Sequence, residues 1–192
     1  MTGAPDPKIS EYRVRIDVDF DGLRWDGEVG FDLPVGSGRC ALDCEGLRVT
    51  AVKVGAAAVP FVHDGAEHRL TFDLPPGGHG PVTIDFAGTI ETKNLFGFYR
   101  SQQGDRYLLT THCEPTGARR VFPCVDRPDR KARFVLTVRA PADLEVIANA
   151  PVRTCCASGD RREWAFEPTP EMSSYLFYLG VGRFDFRDDR ST

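Results

Sequence analysis

The side chains most able to do chemistry crowd into one stretch, Thr111 to Asp129. It holds His112, Cys113, Glu114, Arg119, Arg120, Cys124, Asp126 and Asp129, with Pro115, Pro123 and Pro128 between them. A carboxylate such as Glu114 can give an ammonium group a charge-assisted hydrogen bond. Read by itself, a glutamate before proline is equally a loop carboxylate that caps a turn. His112 offers pH sensitivity and an aromatic face, or is a half-exposed strand-end residue with no role. Arg119 and Arg120 are predicted to orient the loop by pairing with Asp126 or Asp129, because guanidinium forks usually fix loops through carboxylates. Metal chemistry is not expected from this chain. Its histidines are His63, His68, His79 and His112, no two of them four apart, so no H-E-x-x-H exists. Cys40, Cys44, Cys113, Cys124, Cys155 and Cys156 form no C-x-x-C pair, and free thiols are the expected state.

The elements that must position these groups read as β-strands. Tyr12, Val14, Ile16, Val18 and Phe20 alternate with Arg13, Arg15, Asp17 and Asp19, a period of two with one buried and one wet face. Asp21-Gly22 breaks the run, and Trp25, Val29, Phe31 and Leu33 resume it until Pro34 and the Gly36-Ser37-Gly38 turn, which predicts a long hairpin. Shorter strands are expected at Leu47–Val49, Val52–Val54, Arg69–Leu74, Val82–Phe86, Tyr107–Thr110, Arg133–Val138, Glu145–Ala148, Glu163–Glu167 and Leu176–Phe184. Turn clusters punctuate them, among them Pro75-Pro76-Gly77-Gly78 and Ala157-Ser158-Gly159-Asp160. No segment sustains an apolar period of 3.6, and at most one helical turn is expected, near Thr116–Arg120. The spacing predicts an all-β sandwich or saddle of short strands. Thr92–Arg106 and Thr111–Arg130 break the alternation and are read as long non-strand segments, where function tends to sit.

Length and charge narrow the choices. The chain of 192 residues suits one sizeable core. A net charge of -4, with arginines interleaved among acidic residues, disfavours nucleic acid as a partner. No apolar run approaches bilayer length, so no membrane partner is expected. Residues 1–10 read as a flexible tail, 11–186 as the β domain and 187–192 as a second tail. The polar start and unpaired cysteines predict a cytoplasmic setting.

The segment Thr111-His112-Cys113-Glu114-Pro115, continuing through Ala118-Arg119-Arg120-Val121-Phe122-Pro123-Cys124-Val125-Asp126-Arg127-Pro128, resembles the signature T-Q-x-E-x-x-x-A-R-R-x-F-P-C-x-D-x-P of the aminopeptidase N family. Gly97-Phe98-Tyr99-Arg100-Ser101 is similar to that family's G-[LF]-Y-R-S block, Asn149-Ala150-Pro151-Val152 to its S-N-M-P-V turn, and Pro170-Glu171-Met172-Ser173-Ser174-Tyr175-Leu176 to its T-P-x-M-S-T-Y-L block. The four blocks come in the family's order, and the resemblance covers nearly the whole chain. It implies the saddle-like N-terminal β domain of a zinc aminopeptidase, packed on a thermolysin-like domain that carries the zinc site and the G-[AG]-M-E-N loop. Neither motif is present here. By resemblance, Glu114 helps bind the amino terminus of a peptide substrate. His112 replaces a glutamine that lines the pocket for the first side chain. Leukotriene-hydrolase-like relatives tend to carry glutamine where Glu114 stands. The alternative is a stand-alone, noncatalytic β-sandwich that binds a protein partner.

Overall fold

A computed structural model describes residues 6–33, 38–75 and 80–185. The expected turns at Gly36-Ser37 and Pro76-Gly77-Gly78, His79, and the stretches 1–5 and 186–192 lie outside them.

The first alternating run forms β1 (Glu11–Asp19), and the second forms β2 (Arg24–Leu33), paired antiparallel as a hairpin. Its buried side chains are the apolar ones: Tyr12, Val14, Ile16 and Val18 point inward, with Val29 and Phe31 beside them. On its other edge β1 runs parallel to β11 (Arg133–Pro141), matching Tyr12 to Phe134, Val14 to Leu136 and Ile16 to Val138. A one-residue slip would turn every one of these side chains to water, so burial fixes the register.

These strands are the middle of an eight-stranded sheet ordered β13-β14-β11-β1-β2-β8-β4-β5. The others are β4 (Arg48–Val54), β5 (Ala57–Ala58), β8 (Gly80–Thr89), β13 (Val152–Ser158) and β14 (Arg161–Phe166). A three-stranded sheet joins β3 (Arg39–Asp43), β7 (Arg69–Asp73) and β6 (Phe61–Asp64). A four-stranded sheet, order β12-β15-β10-β9, joins β12 (Glu145–Ala148), β15 (Leu179–Gly182), β10 (Arg106–His112) and β9 (Gly97–Gln103). All ladders but the parallel one are antiparallel. The fold is the expected all-β sandwich of mostly antiparallel strands.

One apolar cluster runs between the layers. Trp25 of the large sheet meets Phe98 of the small one edge to face at 5.1 Å, and Phe20 stacks on Tyr107 at 4.7 Å. Phe122, inside the motif loop, packs at 6.0 Å from Tyr12, 6.1 Å from Phe134 and 4.9 Å from Phe177. The loop thus contributes its own ring to the core, and its outer surface rests on that anchor.

Several elements depart from the sequence reading. Gly97-Phe98-Tyr99-Arg100-Ser101 is strand, paired with β10 from Gly97–His112 to Gln103–Arg106. Residues 48–54 make one continuous strand where two were expected. β3, β5, β6 and β13 lie outside the expected strands. The strand expected over Leu176–Phe184 is shorter, Leu179–Gly182, after a 3-10 turn at Ser174–Leu176. A 3-10 turn at Ala118–Arg120 falls where a helical turn was expected, and the Ser174–Leu176 turn is a second where at most one was expected. The end of the expected N-terminal tail is tied down: Ile9 is buried, and Asp6 is ion-paired to Arg69 and Arg127.

Candidate functional site

The hairpin β9–β10 delivers the chain to the motif loop. His112 is the last residue of β10, opposite Gly97. Exposure then alternates: His112 is exposed, Cys113 buried and Glu114 exposed. The peptide between Glu114 and Pro115 is cis. The backbone closes at once, with the Gly117 N–H donating to the Cys113 carbonyl at 2.7 Å, and enters the Ala118–Arg120 turn. A side chain at Gly117 would have its Cβ 2.9 Å from the His112 carbonyl oxygen, 2.9 Å from Phe96 Cε2 and 3.0 Å from Cys113 Cα. Two of those neighbours are backbone and cannot swing aside. Gly117→Ala is therefore expected to cost about 1–3 kcal/mol of stability, read from urea unfolding. An unchanged midpoint would mean that the loop is looser than this packing implies.

Glu114 projects into solvent, and its carboxylate has no hydrogen bond or ion pair among the described residues. His112 is held instead. Its Nδ1 lies 3.0 Å from the Leu95 carbonyl oxygen and its ring meets Phe96 at 6.4 Å, edge to face. A carbonyl only accepts, so Nδ1 carries the proton and Nε2 is left for another partner. On the loop's other side, the Arg120 guanidinium lies 4.9 Å over the Phe96 ring and pairs with Glu45. Gly97 has a φ of +75°, and a Cβ there would sit 2.9 Å from Arg120 Cβ, so only glycine lets the strand begin so close.

Asp126 anchors the loop from below. Its side chain is fully buried. Oδ2 accepts from Arg119 Nε at 3.0 Å and from the Arg119 backbone N–H at 3.3 Å; Oδ1 accepts from Ser174 Oγ at 2.6 Å. Arg119 also donates to the Asp126 carbonyl at 3.1 Å and lies 3.6 Å from Asp43. Asp43 in turn accepts from the Asp126 N–H at 2.9 Å and from Arg69 at 2.8 Å. Arg69 then reaches Asp6 at 2.9 Å. Burial alone would raise the Asp6 pKa, but its hydrogen bonds and charge attraction to Arg69 and Arg127 lower it overall.

The expected pairing of Arg119 with Asp126 is present. That of Arg120 is not: it pairs with Glu45, because the turn Ala118–Arg120 sends the two guanidinium groups in different directions. Asp129 pairs with its neighbours Arg127 and Arg130. Asp43, Glu45, Arg69, Leu95, Phe96 and Ser174 complete the site without having been singled out. Ser174 carried a signal, lying inside a quoted block, and Leu95 and Phe96 lie in the Thr92–Arg106 stretch read as a place for function.

The four sequence blocks meet here. Gly97 packs on Arg120; Ser174 bonds Asp126 and Ser173 donates to the Pro128 carbonyl at 2.7 Å; Asn149 donates to the Leu176 carbonyl at 2.8 Å and accepts from the Tyr178 N–H at 2.7 Å. Leu95, Leu176 and Tyr178, on segments that hold or flank this loop, are exposed large apolar side chains.

Among the described residues no three His, Cys, Asp or Glu side chains come together to hold a metal. Burial pushes the thiols of Cys40 and Cys44 up to about 12, and those of Cys113 and Cys124 well above the ordinary range, away from the thiolate form a metal needs. Cys155 and Cys156 are exposed on β13, where successive side chains point to opposite faces. A disulfide reagent is expected to titrate two thiols in the native chain and the other four only on unfolding. More than two native equivalents would contradict the buried placement.

Comparison with known proteins places these features in company. Residues 8–176 match the family model described as the Peptidase M1 N-terminal domain. The chain is 35% identical to "Probable aminopeptidase 2" of Sulfurisphaera tokodaii and 33% identical to "Leucyl aminopeptidase" of Saccharolobus solfataricus, each match covering 95% of the chain and 23% of the relative. It is 31% identical to "Tricorn protease-interacting factor F2" of Thermoplasma acidophilum, over 96% of the chain and 23% of that protein. The chain thus spans about a quarter of the length of these curated relatives.

Proposed function

The chain belongs to the Peptidase M1 N-terminal domain family, and from that membership we propose that it is the substrate-cleft domain of a zinc aminopeptidase, in which Glu114 binds the α-ammonium of a peptide substrate. The observation that carries the reading is Glu114 itself: an exposed carboxylate without a partner, on a loop whose every other charged group is tied down. An α-amino group with a pKa of about 7.7–8.0 is largely cationic at neutral pH. A carboxylate presented by a fixed loop can therefore hold the terminus, and so measure out the first residue before the scissile bond. This is positioning, and no bond is made or broken by Glu114. His112, with Nε2 uncommitted, borders the space for the first side chain and offers it a ring nitrogen.

Arg119, Asp126 and Ser174 act one step back, holding the loop that presents Glu114. The described residues gather no metal-ligating cluster, and in this reading the hydrolytic step belongs to a catalytic domain, with none of it routed through these side chains. Leu95, Leu176 and Tyr178 suit a face on which that domain docks, since apolar side chains left exposed beside a site usually await a partner.

Hydrolysis of a panel of aminoacyl fluorogenic amides by the purified chain, with zinc added and metal content measured, tests the division of labour. No turnover and no stoichiometric zinc are expected. Turnover abolished by a chelator would overturn it.

A further inference from the structure

The bend that leads into β9 grips the Glu114 loop through two residues. Leu95 offers its carbonyl oxygen to His112 Nδ1 at 3.0 Å. Phe96 wedges its ring among three residues of the motif stretch. The Arg120 guanidinium lies 4.9 Å over its face, Gly117 leaves room for its edge, and the His112 ring meets it at 6.4 Å with the planes at 87°. The bend has no core of its own, since Thr92, Lys93, Asn94 and Leu95 are all exposed. It is tied at its ends instead. At one end the Glu91 carboxylate accepts from the N–H groups of Thr92, Lys93 and Asn94 at 2.8, 2.7 and 3.3 Å. At the other, Phe96 is seated on Arg120. Glu45 aims Arg120 by holding the turn twice: its carboxylate pairs with the guanidinium, and its backbone N–H donates to the Arg119 carbonyl at 3.0 Å.

The tautomer of a histidine is set by the hydrogen bond its other nitrogen makes. The Leu95 carbonyl puts the proton of His112 on Nδ1, so in the neutral ring Nε2 is an acceptor. An imidazole free in water favours the opposite tautomer, so this one persists only while the bend keeps its place. We propose that Glu45 and Phe96 are positioning residues that hold His112 in this tautomer, and that its Nε2 selects substrates whose first side chain donates a hydrogen bond. A hydroxyl or amide side chain satisfies that nitrogen, whereas an apolar one leaves it unmet. The selection rests on the aminopeptidase reading for the place of the first side chain; the hold on the ring rests on the contacts alone.

Two measurements test the proposal. In ¹⁵N spectra of the imidazole nitrogens of the full chain at pH 8, His112 is expected as one tautomer, protonated at Nδ1, its signal identified by its loss in His112→Phe. In Glu45→Ala and in Phe96→Leu the proton should redistribute toward Nε2, with the dispersion of the backbone amides reporting the fold. Should Phe96→Leu fail to fold, Glu45→Ala, at a half-buried position, decides alone. A proton on Nε2 in the wild type overturns the proposal, as does an unchanged tautomer in either folded variant. In an enzyme joining this domain to a catalytic domain, the kcat/KM ratios of threonyl over valyl amide and of glutaminyl over methionyl amide are then compared. At least one is expected to fall roughly 3–10-fold in Glu45→Ala, the worth of one neutral hydrogen bond. A merely structural loss lowers both members of a pair and leaves the ratio alone. Ratios unchanged from the wild type overturn the selection, and do so without touching the amine-binding role of Glu114, which Glu114→Gln tests separately.

Discussion

Replacing Asp126 with alanine is expected to remove about 3–5 kcal/mol of stability, the loss typical of breaking a buried ion pair by deleting one partner. The carboxylate is fully buried and serves Arg119 and Ser174 together. Without it the Arg119 guanidinium keeps only a longer approach to Asp43, 3.6 Å, and its bond to the carbonyl of residue 126. The Ser174 hydroxyl loses its acceptor, and the Arg119 N–H loses one as well. A domain of this size is stable by about 5–15 kcal/mol, so the variant would sit near the edge of folding. Asp129→Ala is the control. Asp129 is 61% exposed and paired only with neighbouring arginines, and its loss should stay within about 0.5 kcal/mol. Urea unfolding of the two variants side by side checks the contrast. Equal midpoints would mean that the Asp126 network does not hold the loop.

The second large effect concerns activity. In an enzyme that joins this domain to a zinc-binding catalytic domain, Glu114→Gln is expected to lower kcat/KM for aminoacyl substrates by roughly 10–100-fold, the worth of one charge-assisted hydrogen bond. Stability should not follow, because the carboxylate has no partner within the described residues. Asp126→Ala should instead lose both together. That split separates a residue which touches the substrate from one which holds it in place.

Much of this was legible in the sequence, and the exceptions have physical causes. The β1–β2 hairpin announced itself because buried residues alternate with more exposed ones along β1 and the apolar Trp25, Val29, Phe31 and Leu33 of β2 are all buried. β13 gave no signal because all seven of its residues are exposed, leaving no apolar alternation to read. β9 was hidden for another reason. Gly97 and Phe98 are buried together and Tyr99 to Ser101 only partly, so no period of two survives. The loop's identity and its Arg119–Asp126 pairing could be read locally, seven positions apart. Its link to Asp43 could not: the two residues are 83 positions apart, and Asp43 reads as one more polar residue at a strand end. The same holds for Arg120 and Glu45, 75 positions apart.

The central claim, that Glu114 recognises a substrate's free amine, is tested most directly by a double-mutant cycle between the residue and the ligand. Inhibition constants would be measured for an aminoacyl amide and for its des-amino analogue, against the wild-type joined enzyme and against Glu114→Gln. The account predicts that losing the amine weakens binding to the wild type by roughly 10–100-fold and to the variant by little, so that the two changes couple. Equal weakening in both proteins, with no coupling, would contradict it and return Glu114 to the status of a solvated loop carboxylate.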